Sequence, residues 1–266
     1  GKIELVQGLT LEDIEADLGI RWIKVSIADE RNPEAERQIA EFRKSCPDLL
    51  PAGSYADLNL KVWETWILAN TGKDPQRAWD LLNEILEKVD ALPSETSLDR
   101  WRISFLKAYA LFLQGFLYRI QGEYQLAVEK YLDALPLWRE LKLEAEASNN
   151  LNNLALVEAE TGDFQAALEH CKDGLHMRRR LGRRYLIALS LNTLGLIETK
   201  EGSPERARFH CEQALKIFQS LEKPFGIGLA CLAYAEALRR MTTTDLLTHG
   251  QKIERLQDAT RYAEEA

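Results

Sequence analysis

Residues 152–171 read NNLALVEAETGDFQAALEHC and residues 192–211 read NTLGLIETKEGSPERARFHC, so one pattern returns after forty positions. Residues 112–131 carry an earlier copy, FLQGFLYRIQGEYQLAVEKY. A fixed period of this length is typical of a repeat array, in which each unit packs on its neighbours. The register is held by Gly122, Gly162 and Gly202, by Ala127, Ala167 and Ala207, and by Leu141, Leu181 and Leu221.

Each copy predicts two helices joined by a turn. Apolar residues between 148 and 162 follow helical spacing. Gly162 is expected to end the first helix, because glycine readily adopts the positive φ of a C-terminal turn. In the third copy, Ser203 is suited to cap the second helix and Pro204 to begin it.

Small residues recur where the two helices of a copy must approach most closely. A larger side chain at these positions would push the helices apart, so we expect each unit to be an antiparallel helical hairpin. The positions are Gly115, Ala155, Gly195 and Ala235 in the first helices, and Ala134, Gly174 and Ala214 in the second helices.

This pattern resembles the tetratricopeptide repeat family. The residues that carry the resemblance are Leu151, Leu154, Ala155, Gly162, Ala167, Cys171 and Gly174, then Leu191, Leu194, Gly195, Gly202, Ala207, Cys211 and Ala214. The period exceeds the commoner thirty-four residues. It is similar to the longer repeats of kinesin light chains, spindle-orientation adaptors and the sensor regions of bacterial signal-transduction ATPases with numerous domains (STAND proteins). The resemblance implies an all-α, right-handed superhelical array of antiparallel helical hairpins.

The chain divides according to how well it keeps the repeat. Residues 1–52 do not show it and are expected to form an N-terminal cap or the remnant of an upstream domain. Residues 53–92 are predicted to form a degenerate helical hairpin. The array is expected over 93–266, in repeats at about 103–141, 143–181, 184–221 and 223–266, the last with an insertion at 241–255.

Local signals refine this division. Alternating residues over 20–28 predict a strand, and Asn32 is expected to open a helix that runs to about Cys46. Pro136 is expected to kink or shorten the second helix of the first repeat, because proline lacks an N–H and crowds the preceding turn. The abrupt start and end of the sequence favour a piece of a longer protein.

Composition excludes several classes of function. The 266 residues carry 34 basic and 42 acidic side chains, a net charge of −8, which argues against nucleic acid as a partner. No stretch approaches the roughly 20 apolar residues of a membrane span, and no secretion signal begins the chain. Cys171 and Cys211 share one repeat position and are expected to be buried thiols. We therefore expect a cytoplasmic protein.

Catalytic and metal-binding patterns are missing from the sequence. It contains no Gly-rich phosphate loop, no His-Glu-x-x-His and no Gly-x-Ser-x-Gly. His170-Cys171 and His210-Cys211 offer ligand types that suit zinc, but they are repeat copies about 10 Å apart, too far to share one ion. The sequence therefore predicts a binding module without a cofactor or a metal.

The resemblance places the first helices on the concave side of the array, where a protein or peptide partner is expected to bind. The oligomeric state is left open. The candidate binding residues are Tyr109, Phe112, Phe116, Arg119, Asn149, Asn152, Asn153, Leu156, Asn192, Thr199, Glu236 and Arg239.

Two groups among these candidates each have two interpretations. Four asparagines between positions 149 and 153 can pair with an extended peptide backbone, because a carboxamide both donates and accepts. They can equally form a hydrogen-bonded ladder between repeats. The aromatic residues Tyr109, Phe112 and Phe116 can anchor an apolar side chain of a partner, or, for Phe112, pack against the preceding hairpin.

Five arginines lie between Arg178 and Arg184, at the C-terminus of a second helix. Cations suit the helix dipole there, which explains two or three of them. The others form either a solvated edge or a contact with an acidic partner.

These patterns predict a protein- or peptide-recognition module. The resemblance implies the ligand-sensing region of a larger bacterial signalling protein of the STAND type. The alternatives are a free-standing scaffold or adaptor and, from another class, a helical fragment of an enzyme whose catalytic domain is absent.

Overall fold

The computed structural model describes residues 20, 32–242, 251, 257 and 258. Residues 32–242 form ten α-helices and one 3-10 turn at Pro47–Leu49, and contain no strand. The prediction of an all-α protein is confirmed. The chain forms two compact units, divided after Lys142.

The first unit contains the degenerate hairpin and the first full repeat. Its helices are α1 (Asn32–Ser45), α2 (Tyr55–Thr71), α3 (Pro75–Val89), α4 (Ser97–Gln121) and α5 (Tyr124–Glu140). Helices α2 and α3 pack together and both contact α4, which pairs with α5. Helix α1 packs on α2 and confirms the helix predicted from Asn32.

The second unit contains the next two repeats and the first helix of the fourth. Its helices are α6 (Glu144–Thr161), α7 (Phe164–Arg180), α8 (Arg184–Glu201), α9 (Pro204–Ser220) and α10 (Pro224–Met241). Within it, α6 pairs with α7 and α8 with α9, while the first helices α6, α8 and α10 also contact each other in order. This order places one face of each first helix side by side.

The turns between the paired helices follow the prediction. Gly122, Gly162 and Gly202 have φ values of 81°, 86° and 94°, the left-handed conformation that ends the first helices. Pro204 is the first residue of α9, as expected, but the Ser203 side chain makes no capping hydrogen bond.

The small residues lie where the paired helices meet. A Cβ atom built on Gly195 would contact the Cys211 Sγ and lie 3.1 Å from the Ala207 carbonyl oxygen. One built on Gly115 would lie 2.9 Å from the Tyr131 ring. The predicted close approach of the paired helices is therefore confirmed at both positions.

Pro136 does not shorten α5. This helix has 17 residues, as do its counterparts α7 and α9, so the prediction of a shorter helix is wrong. Pro136 and the residue one turn earlier, Leu132, are both exposed. The carbonyl group that loses its helical hydrogen bond can therefore be solvated by water, which lowers the cost of the proline.

Several predictions fall outside the described residues. They are the strand over 20–28, apart from the helical and buried Ile20, and most of the insertion and of the second helix of repeat four, of which only residues 241, 242, 251, 257 and 258 are described. Among the described residues, no helix combines the length and the apolar character needed to cross a bilayer.

Candidate partner-binding site

One face of α4 carries four of the predicted site residues, Tyr109, Phe112, Phe116 and Arg119. Phe112 is buried, and its ring stacks on that of Trp66 with centroids 5.9 Å apart. The Phe116 ring lies 5.7 Å from the same tryptophan, and the Arg119 guanidinium lies 4.8 Å over Phe116. Trp66 belongs to α2, so this face of α4 packs on the degenerate hairpin. The other three residues are half-buried.

Tyr109 lies at the centre of a second group of rings in the same unit. Its centroid is 5.1 Å from Trp63, 4.9 Å from Phe105 and 4.8 Å from Trp138. Edge-to-face contacts at these distances stabilise a core. Phe112 therefore packs against the preceding hairpin, which is one of the two interpretations that the sequence left open for it.

Helix α6 carries the asparagine cluster and Leu156. Asn149, Asn153 and Leu156 are half-buried, whereas Asn152 is 8% exposed. The Asn153 carboxamide donates to the Asn149 backbone carbonyl at 3.0 Å. The face of α6 therefore offers both amide groups and an apolar side chain to a partner.

The asparagines are organised by Arg178 of α7, whose side chain is almost completely buried. Its Nη2 donates to the Asn149 Oδ1 at 2.8 Å. Its Nη1 donates to the Asn152 Oδ1 at 3.1 Å, to the Ser190 Oγ at 2.6 Å and to the Leu186 carbonyl oxygen at 3.0 Å. The guanidinium thus joins three helices, α6, α7 and α8. The ladder between repeats that the sequence left as an alternative is present, with an arginine at its centre.

The acceptors around Arg178 are all neutral. None of the carboxylates in the described part of the chain forms an ion pair with it, and burial lowers the pKa of Arg178 to about 10. The guanidinium therefore stays charged at neutral pH. A buried charge without a counter-ion is costly unless hydrogen bonds surround it, which explains the asparagine and serine residues at this point of the array.

Arg178 was not among the site residues predicted from the sequence. The interpretation as a solvated edge is wrong for Arg178, because only 2% of its surface is exposed. The available signal was the repeat register: Trp138 stands forty residues before it and Phe218 forty residues after it, and both are buried. This position belongs to the core of every repeat, so a charged residue there requires polar partners.

Asn192 of α8 occupies the repeat position of Asn152, but its surroundings differ. It is buried, and no described residue donates a hydrogen bond to its carboxamide oxygen. In this repeat Phe218 stands where Arg178 stands in the previous one, and a phenyl ring has no N–H to offer. The presence of the arginine therefore determines which asparagine carboxamide oxygens accept a hydrogen bond.

The last three predicted site residues are engaged within their own helices. Thr199 is buried and donates its hydroxyl to the Gly195 carbonyl oxygen at 2.7 Å. Glu236 accepts from Arg239 at 2.7 Å and from Arg240 at 2.8 Å, and these hydrogen bonds lower the pKa of its carboxyl group to about 2. Arg239 is the most exposed member of the predicted site.

The arginines that follow Arg178 line the turn between α7 and α8. Arg180 forms an ion pair with Glu144 at 3.2 Å, and Arg184 donates to the Ser220 hydroxyl at 2.9 Å. The other two arginines of this turn are exposed. This edge of the second unit is therefore basic although the whole chain is acidic.

The described residues offer little for catalysis. They contain no group of three side chains able to hold a metal ion. Burial raises the pKa of both Cys171 and Cys211 to about 12, so these thiols are poor nucleophiles.

Solved structures similar to this chain share its fold. BtubC from P. vanneervenii has a TM-score of 0.62 at 18% identity, over 96% of this chain and 92% of that one. A STAND protein with a tetratricopeptide repeat sensor, from Pyrococcus horikoshii, has a TM-score of 0.65 at 12% identity, over 92% of this chain but 35% of that one. A Rap protein complexed with competence and sporulation factor has a TM-score of 0.54 at 15% identity, over 94% of this chain and 77% of that one.

No curated protein sequence matches the chain. The tetratricopeptide repeat family model matches residues 106–180 and, in a second register, residues 146–220. These residues cover helices α5 to α9 and most of α4, the part of the chain where the forty-residue pattern is clearest. Residues 106–220 of this chain are therefore an array of tetratricopeptide repeats.

Proposed function

We propose that the chain is a protein- or peptide-recognition module whose partner binds along the faces of the first helices. The observation that carries the proposal is the face of α6, where Asn149, Asn153 and Leu156 are half-buried instead of packed into the core. Amide groups can hydrogen-bond to an extended main chain while an apolar side chain contacts a side chain of the partner. The half-buried Tyr109, Phe116 and Arg119, and the exposed Arg239, are further candidate contacts.

The favoured setting is the ligand-sensing region of a larger bacterial signalling protein of the STAND type. The likeness to the STAND protein supports this setting, because it extends over 92% of this chain and that protein carries a tetratricopeptide repeat sensor. The Rap structure supports a peptide or small-protein ligand, since it holds competence and sporulation factor. A cytoplasmic location belongs to the proposal and is supported by the buried thiols of Cys171 and Cys211, which form no disulfide.

A free-standing scaffold or adaptor is the second candidate. It is favoured by the likeness to BtubC, which covers 96% of this chain and 92% of that one, so the two chains are similar in extent. An immunoblot of source cells with an antibody against this region separates the two settings. A band several-fold larger than this chain supports the sensor region, and a band near its own mass supports the adaptor.

The recognition function itself is tested by selecting binders from a phage library of random twelve-residue peptides on the immobilised chain. We expect enriched peptides whose affinity falls at least about fivefold when Asn153 and Leu156 are both replaced by alanine, since interface contacts of this kind contribute about 1 kcal/mol or more. Gln165→Ala, at an exposed position of α7, is the control. Failure to enrich any peptide, or equal affinity for the double variant with unchanged circular dichroism, would falsify the proposal.

A further inference from the structure

We propose that the partner of the α6 face presents an acidic side chain, aspartate or glutamate, to the carboxamide nitrogen of Asn149, which Arg178 fixes as a hydrogen-bond donor. This inference rests on the proposed recognition function and names the chemistry of one position of the ligand.

The first step is the orientation of the two carboxamides. Each Oδ1 atom accepts a hydrogen bond from the buried guanidinium, Asn149 at 2.8 Å and Asn152 at 3.1 Å. Arginine has donors only, so the oxygen of each amide must face Arg178 and the nitrogen must face away from it. No described residue accepts a hydrogen bond from either nitrogen. Asn149, the half-buried one of the two, is therefore a donor towards a ligand, and the group that matches it is an acceptor.

The second step is electrostatic. The charge of Arg178 has no counter-ion among the described residues, and its hydrogen bonds polarise the two amides whose N–H groups point the other way. Because the guanidinium is buried, its field is screened less than that of a surface arginine. An anion placed against Asn149 Nδ2 therefore meets both a polarised donor and an unbalanced positive charge behind it.

The third step is that the fold does not require this charge. At the same repeat position the array buries Trp138 and Phe218, which carry no charge. Around Arg178 the array instead supplies oxygens from Asn149 and Asn152 of the same repeat and from Ser190 of the next one. A buried ionic group of this kind adds little stability compared with a hydrophobic residue of similar volume, so the arrangement indicates a role in binding.

The fourth step is the choice of occupant. One or two methylene groups separate the carboxylate of aspartate or glutamate from the main chain. Such a carboxylate can therefore reach the half-buried Asn149 while the main chain of the ligand continues past Asn153 and Leu156. A C-terminal carboxylate would end the ligand at this point. The charge favours an anion, and the open face of α6 favours one carried by a continuing chain.

The test uses the whole chain and two phage libraries of random twelve-residue peptides. One library is fused through the peptide C-terminus, so its only randomised carboxylates are side chains, and the other leaves the C-terminus free. We expect aspartate or glutamate at one fixed position of the selected peptides from the first library. In a synthetic copy of such a peptide, changing that residue to its amide should weaken binding to the wild-type chain about tenfold.

The decisive variant is Asn149→Asp, which supplies a carboxylate to Arg178 from within the chain. On this variant the same acid-to-amide change in the peptide should alter affinity less than about twofold. Gln165→Glu makes the matched amide-to-acid change at an exposed position of α7 and should keep the tenfold difference. Arg178→Met, which removes the charge, should behave like Asn149→Asp, and if it fails to fold the Asn149→Asp result decides.

The outcomes separate the two proposals. An unchanged tenfold effect on Asn149→Asp, the absence of an acidic position in selected peptides, or selection of free C-termini alone overturns the acidic side chain but leaves peptide recognition intact. A failure to enrich peptides from either library counts against the recognition function itself.

Discussion

The Nδ1 atom of His170 lies 2.9 Å from both carboxylate oxygens of Glu158, and the repeat reproduces the pair forty residues later, where His210 lies 2.6 Å from Glu198. In each pair the glutamate is buried near the end of a first helix, and the histidine lies on the second helix of the same hairpin. The contact therefore joins the two helices of each repeat at the same point.

We expect the stability of the second unit to fall as the pH rises from about 6 to 9. The hydrogen bond to Glu158 raises the pKa of His170 above its usual 6.5. A raised pKa in the folded state means that the stabilisation is fully present below the unfolded pKa and is lost as the pH rises through the folded one. Thermal unfolding of the wild type and of His170→Asn should differ most near pH 6 and least near pH 9.

The pKa shift can be measured directly. An NMR titration of the His170 ring should give a pKa above that of the same histidine in a short peptide spanning 165–175. An equal or lower value in the folded chain would contradict the prediction.

Replacing equivalent asparagines by aspartate should have unequal effects. A carboxylate at position 152 gains the Arg178 guanidinium as a partner, whereas one at position 192 is buried in a repeat where Phe218 takes the position of that arginine. We expect Asn192→Asp to be less stable than Asn152→Asp by at least about 2 kcal/mol, because a buried unpaired charge is far more costly than a paired one. Chemical denaturation at pH 7 measures the difference, and equal stabilities would refute the role assigned to Arg178.

A methyl group at position 226 should disturb the core. The Cβ of alanine there would lie 2.7 Å from Cγ of Phe218, a fully buried ring that packs 5.5 Å from Tyr185. Overpacking of this kind costs about 1–3 kcal/mol, more than the roughly 1 kcal/mol that alanine gains over glycine in a helix. Gly226→Ala should therefore lower the free energy of unfolding. Adding Phe218→Leu should recover part of the loss, and a stabilised single variant would show that the ring can move.

Acid should weaken an ionic network in the first unit. The Lys61 ammonium donates to Glu84 at 2.7 Å and to Asp57 at 2.8 Å, and the hydrogen bonds from Lys61 and Lys88 lower the pKa of Glu84 to about 2. Because its pKa is lowered in the folded state, the Glu84 carboxylate stabilises the fold at pH values above the ordinary pKa of 4.5. This stabilisation is lost as the pH falls towards 2. The stability difference between the wild type and Glu84→Gln should therefore shrink between pH 5 and 2.5. A difference in stability that stays constant over this pH range would mean that the stabilising effect of Glu84 does not depend on its charge.

The repeat made the hairpins predictable from sequence, because Gly162 and Gly202 fix turns and Gly195 fixes a helix contact that no other residue type fits as well. The course of α5 through Pro136 was less predictable, because the cost of the proline depends on whether water reaches the freed carbonyl group. The site was predicted only in part. Helical spacing correctly placed Asn152 on a first helix, but its partner lies 26 residues later in the chain, and spacing alone does not pair the two.

The position shared by Trp138, Arg178 and Phe218 lies under the first helices, in the core of each repeat. A substitution there changes what a ligand encounters without changing any side chain that the ligand touches. Successive repeats thus carry an uncharged, a positively charged and again an uncharged side chain at one buried position of the same backbone. If the proposed acidic contact is correct, a mutational scan confined to the contact surface would miss the residue that creates it.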